Sequence, residues 1–291
     1  MRRLSKNGQR GRKTRTSQDG GADLNHEISC VLQGQCRTGR KGKGWKTCES
    51  PQAYHPQSSS EAIAILVLAN HILANEHFLD GFGHVSIRDP EQPGNFFLSR
   101  SLAPELVTAD DILRLTLEGD VVGEDTRRPY LEKFIHAEVY RARPDVQAVI
   151  HGHPLSVIAM SAINVPVVPV FHMAGALGSG VPVFDAYDPE NGTLTRTSEE
   201  GRRLADCLGQ HTALLMRNHG AVIAAGNMAE AVMTALALRD NCTIQMQCLS
   251  AGVAPSALSP ALARAAAALN FSQNPLFRAW NYWISRLPQP Q

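Results

Sequence analysis

The sequence predicts one α/β domain in which a largely antiparallel sheet carries helices on both of its faces. Apolar residues recur with a helical period in some segments and alternate with polar residues in others, so both kinds of element are present. They do not alternate strictly, as they would in a parallel βαβ fold, and no segment repeats. The 291 residues are 43% hydrophobic with a mean hydropathy of −0.18, which suits a soluble chain with a sizeable core.

In the first half, the predicted elements follow one another with few interruptions. A serine cap and Glu61 begin a helix, and later Thr108 caps a short turn before a strand. In chain order the elements are a helix in SSSEAIAILVLANHILANEHFL, strands in GFGHVSIRDP, GNFFLSRS and TADDILRLTLEGD, a helix in LEKFIHAEVYRAR and a strand in DVQAVIHGH.

The second half adds a helix in PLSVIAMSA, where proline stands at the first position, and β-like segments in VPVVPVFHM and GVPVFDAY. Thr197 and Glu200 form a capping box at the start of the next helix. TALLMRNHGAVIAAG reads as two strands folded about a tight turn. A long helix over residues 227–249 and two C-terminal helices complete the predicted domain.

Residues 1–57 form a basic extension that is predicted to be disordered, and residues 58–291 form the domain. The first 50 residues contain 12 Lys and Arg against 4 Asp and Glu, a net charge of +8, whereas the remainder carries −7. The extension lacks the apolar core of a signal peptide, and no apolar run in the chain reaches the roughly 18 residues that span a bilayer. The cysteines require no oxidising compartment. We expect a cytoplasmic protein with neither a membrane nor a nucleic acid as partner.

Two histidines end the strand AVIHGHP. Side chains at positions i and i+2 of a strand lie on the same face, so His151 and His153 are predicted to project together towards one metal ion. Gly152 between them is expected to leave the opposite face open. The pair alone is equally consistent with two polar residues where a strand meets a loop.

His219 and Glu132 extend this pattern. His219 lies in the tight turn NHG, and Glu132 lies on the helix that precedes the strand of His151. Three imidazoles and one carboxylate are suitable ligands for Zn²⁺, Mn²⁺ or Fe²⁺ and leave coordination positions for a substrate. From the residues alone, a metal centre and a set of structural histidines both remain open.

The segments GFGHVSIRDP, EKFIHAEVYRARPDVQAVIHGHP and ALLMRNHGAVIAAG, in this order and spacing, resemble the class II aldolase/adducin family over roughly residues 60–250. The resemblance implies an α/β/α sandwich and a homotetramer with active sites between subunits. It also implies one divalent metal ion, for which we expect Zn²⁺, with His151, His153 and His219 as ligands. Glu132 would be the fourth ligand or the acid/base catalyst.

The segments that bind phosphate in the family's sugar-phosphate aldolases are altered in this chain. Tyr130 and Leu131 replace the serines before the glutamate, and His84 replaces the asparagine of GNVS. Ser99 and Arg100 stand where a hydroxyl–glycine turn is expected. These changes favour a flatter, carboxylated substrate bound by Arg100, with Ser99 and Tyr130 as further contacts. They resemble the family's decarboxylase branch.

Several other side chains are candidates for the same site. His172 and His84 are candidate proton donors, although His172 is equally consistent with a structural polar residue at a strand end. Ser86 either binds substrate or caps the turn. His136 lies one helical turn after the glutamate and either orients it or packs in the core. The C-terminal aromatic segment suits the core or a subunit interface, although the resemblance also makes Tyr282 a candidate for closing a neighbouring subunit's pocket.

We therefore expect a metal-dependent carbon–carbon lyase, in the first place a decarboxylase of a hydroxylated aromatic or related carboxylic acid. Its metal would stabilise the enolate-like carbanion that remains when CO₂ departs. Three alternatives stay open at this point: an aldolase on a non-phosphorylated hydroxy-carbonyl substrate, a mononuclear Fe²⁺ oxygenase, and a non-catalytic adducin-like binding module.

Overall fold

The structure, a computed structural model, describes residues 54–288. The strands are β1 (His84–Arg88), β2 (Asn95–Ser99), β3 (Ile112–Thr116), β4 (Ala148–Gly152), β5 (Val183–Phe184), β6 (Ala213–Met216) and β7 (Gly220–Ala225). The helices are α1 (Ser59–Asn75), α2 (Lys133–Ala142), α3 (Leu155–Ala162), α4 (Ser198–Leu208), α5 (Met228–Ser250), α6 (Pro260–Asn270) and α7 (Gln273–Ser285). Short 3₁₀ helices lie at Pro104–Leu106, Ala109–Asp111 and His172–Ser179.

The strands form one seven-stranded sheet in the order β3-β2-β1-β4-β7-β6-β5. Every pair is antiparallel except β5 with β6, which is parallel. Strand β4 therefore lies at the centre of the sheet between β1 and β7. The register of β1 and β4 places His84 directly opposite His151.

Each face of the sheet has its own apolar core. Helices α1, α3, α5 and α7 cover one face, where Val85, Ile87 and Ile150 are buried. Helices α2 and α4 cover the other face, where Val149 and Val222 are buried. We call these the α1 face and the α2 face. Because successive residues of a strand point to opposite faces, neighbouring positions of one strand enter different cores. The predicted α/β/α sandwich with a largely antiparallel sheet is confirmed.

Two helices begin as the sequence predicts. The Ser58 hydroxyl accepts the Glu61 N–H at the start of α1. At the start of α4, the Thr197 hydroxyl accepts the Glu200 N–H, and the Glu200 carboxylate accepts the Thr197 N–H. These bonds satisfy backbone donors that have no partner within the helix.

The β-like segment VPVVPVFHM forms no strand. The N–H of Val168 donates to the Gln245 side chain at 3.1 Å, and that of Val170 donates to the Asn241 side chain at 2.9 Å. The two prolines within the segment have no N–H with which to extend a sheet ladder. Amide side chains of α5 therefore bind this segment in place of a neighbouring strand, and the predicted strand is wrong.

Tyr54 lies within the predicted extension, yet its ring is buried and packs edge-on against Trp280 of α7 at 6.4 Å between ring centroids. The folded core therefore includes a residue that precedes position 58. Residues 1–53 lie outside the described part of the chain, so disorder of the basic extension stays a prediction. No helix within residues 54–288 combines the length and apolarity that crossing a membrane requires.

Candidate active site

Three histidines meet at one end of the central strands. His151 is the penultimate residue of β4, His153 directly follows that strand, and His219 lies in the turn between β6 and β7. The Nε2 atoms of His151 and His153 are 2.9 Å apart. Ligand nitrogens of all three rings lie within 4.8 Å of one another. Neighbouring strand ends thus bring together residues that are almost 70 positions apart in the chain.

The other nitrogen of each ring is held by an oxygen that only accepts a hydrogen bond. Such an oxygen requires the proton to be on Nδ1, which leaves the lone pair on Nε2. The three Nδ1 contacts are His151 with the Ala221 carbonyl at 3.1 Å, His153 with the Asp80 carboxylate at 3.0 Å, and His219 with the Thr193 carbonyl at 2.8 Å.

The resulting donor set fits a divalent metal ion. Burial lowers the pKa of His219 to about 4, and burial together with the neighbouring His151 also lowers the pKa of His153. These rings are therefore neutral near pH 7, and their Nε2 lone pairs face one another at short range. A bound cation removes the resulting repulsion, and hydrogen bonds to Nδ1 are the usual way in which proteins orient metal-binding histidines.

Glu132 adds a carboxylate to the cluster. It lies at the N-cap of α2, and its Oε1 accepts the backbone N–H of Thr195 at 3.0 Å. Its Oε2 lies 3.6 Å from Nε2 of His151 and 3.8 Å from Nε2 of His219. Burial raises the pKa of Glu132, but the interactions with His151 and His219 outweigh it and bring the pKa down to about 2. An ionised carboxylate therefore faces the imidazoles.

Glycines permit the close approach of backbone at this point. A Cβ on Gly152 would lie 2.8 Å from both the ring and the carbonyl oxygen of Phe78, and one on Gly220 would lie 2.3 Å from the Gly152 carbonyl oxygen. The expectation of an open face behind Gly152 is thus wrong, because Phe78 fills it. Asn218 adopts a positive φ of 56°, and its N–H donates to the Ser161 hydroxyl at 3.0 Å.

His84 lies beside the cluster and begins a chain of buried polar groups. Its ring centroid is 5.0 Å from that of His151, and its Nδ1 lies 2.7 Å from Nε2 of His136. The Ser86 hydroxyl lies 2.6 Å from Nδ1 of His136 and 2.8 Å from the Tyr140 hydroxyl. Ser86 is fully buried between these groups, so the structure places it below the site and not against a substrate.

Of three predicted substrate contacts, Tyr130 lies next to His84 and Ser99 lies next to Tyr130. The Tyr130 ring is 4.5 Å from the His84 ring, and its hydroxyl donates to the Leu102 carbonyl. Ser99 is buried beneath Tyr130 and donates to its hydroxyl at 3.4 Å, so Ser99 supports the aromatic ring rather than lining the surface. Arg100 is partly exposed, and its Nε binds the Asp111 carboxylate at 2.8 Å.

Two other candidates lie elsewhere in this subunit. His172 begins the 3₁₀ helix that packs against α6, and its backbone carbonyl accepts from Asn270. Tyr282 is exposed on α7, where Arg286 lies over its ring at 5.4 Å. Within residues 54–288, no hydrogen bond or ring contact connects either side chain to the three histidines. His172 was a candidate because it precedes a loop of small residues, and its role stays a prediction.

The residues that sequence reasoning missed are those that hold the ligands. The Thr193 and Asp80 acceptors lie in loops whose sequence has no ligand pattern. A signal for the polar chain was present, since Glu132, His136 and Tyr140 are spaced four apart on one helix. His136 contacts His84 rather than the Glu132 carboxylate, so it neither orients Glu132 nor merely packs.

The fold and the site define an α/β/α sandwich with a candidate metal centre at the ends of its central strands. A family described as "Class II Aldolase and Adducin N-terminal domain" matches residues 64–246, and the chain belongs to this family.

Two proteins of similar sequence and one solved structure of similar fold show which members of the family this chain resembles. The chain is 35% identical over 190 residues to decarboxylase tropJ of Talaromyces stipitatus, covering 60% of this chain and 71% of that protein. It is 30% identical over 216 residues to 3,4-dihydroxyphthalate decarboxylase of Arthrobacter keyseri, covering 69% and 84%. Its fold matches L-fuculose 1-phosphate aldolase from Glaciozyma antarctica PI12 with a TM-score of 0.65 at 25% identity, covering 78% and 89%. The chain thus resembles the decarboxylases of this family in sequence, which supports a lyase.

Proposed function

We propose that the protein is a metal-dependent decarboxylase of a hydroxylated aromatic carboxylic acid. The observation that carries the proposal is the pairing of a three-imidazole, one-carboxylate centre with an aromatic wall in which Tyr130 lies against His84. The similarity to decarboxylases supports the reaction class. A planar substrate is suited to such a wall, whereas a sugar phosphate needs hydroxyls and glycines at these positions.

The metal would be held by Nε2 of His151, His153 and His219 together with Oε2 of Glu132. We propose Zn²⁺, with Mn²⁺ and Fe²⁺ as the alternatives, because the donors are imidazole nitrogens and one carboxylate. When bound, this ion would supply a Lewis acid for the hydroxyl and carboxylate oxygens of the substrate.

Arg100 is proposed to bind the substrate carboxylate. Asp111 holds its Nε, which orients the guanidinium and leaves the two terminal nitrogens without a partner within residues 54–288. A guanidinium offers two parallel N–H groups that match a carboxylate. Leu102 and Tyr130 lie on the same side of the site and would exclude water from the ring of the substrate.

Proton exchange with the substrate is assigned to His84. Glu132 has a pKa of about 2 and thus carries no proton near pH 7. A ring nitrogen of His84 lies within 4.8 Å of ligand atoms of both Glu132 and His151. Because Nδ1 of His84 is held by His136, Nε2 is the nitrogen that remains for the substrate. His84 would take the hydroxyl proton and return a proton to carbon.

We further propose that the active protein is a cytoplasmic homotetramer in which a neighbouring subunit covers the site. Leu131, beside Glu132, is 61% exposed, and Leu155, two residues after His153, is 84% exposed. A neighbouring subunit that packs on this side of the site would cover both side chains. Tyr282 of a second subunit is a candidate for this role. Light scattering of the purified protein tests the assembly, and a monomer that retains full activity would contradict it.

The reaction is tested by metal analysis and by product detection on a panel of mono- and dihydroxybenzoates. We expect about one metal ion per chain and CO₂ release without O₂ uptake, both abolished by chelation and restored by the metal. O₂ consumption would indicate an oxygenase, aldehyde release from a hydroxy-carbonyl compound would indicate an aldolase, and neither metal nor turnover would indicate a binding module. Each of these results would overturn the proposal.

Arg100→Ala tests the carboxylate contact. A hydrogen-bonded charge contributes about 1.5–3 kcal/mol, so KM should rise roughly 10–100-fold while kcat changes little. Arg202→Ala is the matched control, because Arg202 forms a comparable ion pair with Glu199 on the exposed surface of α4. An unchanged KM in Arg100→Ala would remove Arg100 from substrate binding.

A further inference from the structure

We propose that His136, Ser86 and Tyr140 form a positioning array that holds the His84 imidazole as its Nδ1–H tautomer and presents a bare Nε2 to the substrate. The inference rests on the proposed function, in which His84 exchanges a proton with the substrate. It assigns a role to three buried residues outside the metal ligands and the substrate pocket.

The array is continuous and closed to solvent. Its three links measure 2.7 Å from His84 to His136, 2.6 Å from His136 to Ser86, and 2.8 Å from Ser86 to Tyr140. All four side chains are at most 1% exposed. The 2.8 Å link has the usual length of a hydrogen bond and the two that involve imidazole nitrogens are short, so the four groups are in close contact and water has no access to replace them.

Strand and helix periodicity build the array. His84 and Ser86 are two residues apart on β1 and thus point to the same α2 face of the sheet. His136 and Tyr140 are four residues apart on α2 and thus lie on the same side of that helix. Strand β1 therefore supplies the first and third members of the array, and helix α2 supplies the second and fourth.

The number of hydrogens restricts the array to two arrangements. His84 and His136 are both buried, and burial away from water disfavours the charged form of an imidazole, so both rings are neutral. Each of the four groups then carries one polar hydrogen. Three links use three hydrogens. Ser86, inside the array, contacts only His136 and Tyr140, so an arrangement that left the fourth hydrogen on Ser86 would bury it without an acceptor. The fourth hydrogen is therefore left at one end of the array, either on Nε2 of His84 or on the Tyr140 hydroxyl.

An acceptor at the far end selects between the two arrangements. The Tyr140 hydroxyl donates to the Gln147 carbonyl at 3.5 Å, a long contact with a group that only accepts. When Tyr140 donates outward, Ser86 donates to Tyr140, His136 to Ser86, and Nδ1 of His84 to His136. Every hydrogen then has an acceptor within the subunit, and Nε2 of His84 is bare.

The array holds His84 but conducts no proton away. Burial raises the pKa of Tyr140, so its phenol keeps its proton, and the Arg88 guanidinium covers its ring at 4.7 Å. A proton that Nε2 accepts therefore stays at His84. In the reaction, the substrate O–H bond breaks as the Nε2–H bond forms. The carbon–carbon bond breaks, CO₂ leaves, and the electron pair on carbon takes the proton from Nε2. The substrate oxygen regains a proton from water on release.

Ser86→Ala and Ser86→Thr test the array without relying on turnover. In ¹⁵N-histidine-labelled, zinc-loaded protein, the ¹⁵N shifts of His84 should report the Nδ1–H tautomer in the wild type and a mixture of tautomers in Ser86→Ala. We expect kcat for CO₂ release to fall roughly 10–100-fold in Ser86→Ala, with KM and metal content unchanged. Ser86→Thr keeps the hydroxyl and should restore both readouts to near the wild-type values.

Tyr140→Phe provides a second variant that removes only a hydroxyl. The tautomer ratio should shift in the same direction, with a kcat loss of about 3–10-fold. Tyr54→Phe is the matched control, since Tyr54 is also buried and its hydroxyl contacts a carbonyl, but it belongs to the α1 face. An unchanged His84 tautomer in both Ser86→Ala and Tyr140→Phe would overturn the array. A wild-type protein that releases no CO₂ would overturn the proposed function instead, because the tautomer measurement needs no substrate.

Discussion

The two faces of the central strands differ sharply in chemistry. On the α2 face, β1 and β4 carry His84, Ser86 and His151, and every one of these side chains has a polar partner. On the α1 face, the residues between them are Val85 and Ile150, which are fully buried among apolar side chains. One strand thus contributes to a dry core with one set of residues and to a reactive site with the next.

Because of this difference, substitutions at neighbouring residues of one strand should separate effects on catalysis from effects on the free energy of unfolding. Hydrophobic burial on the α1 face contributes to the free energy of unfolding roughly in proportion to the apolar area removed from water. The polar groups on the α2 face contribute less, because their hydrogen bonds replace bonds to water. Four substitutions test this division, beginning with the one of largest expected effect.

His151→Ala should abolish metal binding and lower the rate of CO₂ release by at least about 1,000-fold, because the variant loses the central ligand of the proposed centre. Thermal unfolding of the metal-free proteins should change little by comparison. The measurement is metal content by mass spectrometry together with the decarboxylation rate. His55→Ala, an exposed histidine far from the cluster in sequence, serves as control. A full metal complement in His151→Ala would contradict the site itself.

The sequence supports this first prediction to a large extent. Strand periodicity predicted that His151 and His153 project together, and the resemblance to the family implied that His219 joins them. The same local rules predicted the sheet and most helices. The contacts that hold the histidines are different in kind, since Asp80 and Thr193 reach them through loops whose paths depend on the packing of the whole domain.

The wrong predictions have the same origin. The segment VPVVPVFHM was predicted to be β-like, but amide side chains of α5 bind it in place of a neighbouring strand. Ser86 was predicted either to bind substrate or to cap a turn, yet strand geometry turns it beneath the site towards His136. Local patterns thus predicted which elements form, whereas the partners of individual polar side chains depended on residues distant in sequence.

Gly152→Ala should affect both stability and metal binding, because Phe78 of the α1 face contacts the backbone between His151 and His153. Overpacking of this kind costs about 1–3 kcal/mol. We expect a lower free energy of unfolding and, since His151 and His153 flank the strained residue, a weaker affinity for the metal as well. Denaturant unfolding and metal titration measure the two effects. Loss of stability with unchanged metal affinity would show that the faces are independent even here.

Ile150→Val should affect the apolar core of the α1 face alone. The variant removes one buried methylene next to His151, which should lower the free energy of unfolding by about 1 kcal/mol. Metal content and kcat of the folded protein should stay at the wild-type values, because the side chain enters the α1-face core. If kcat falls together with the free energy of unfolding, the core on the α1 face also sets the geometry of the site.

Thr195→Val has the smallest expected effect and tests a buried hydroxyl beside Glu132. The Thr195 hydroxyl is buried next to Glu132 and has no hydrogen-bond partner within residues 54–288, although the backbone N–H of the same residue binds that carboxylate. An unpaired buried hydroxyl lowers stability, so valine, which has nearly the same shape, should raise the free energy of unfolding by up to about 1 kcal/mol. Chemical denaturation measures this change, and Thr243→Val, whose hydroxyl is exposed and bonded within α5, is the control. If KM rises in Thr195→Val while the stability stays level, the hydroxyl contacts the substrate, and the α2 face contains one more functional group beside Glu132.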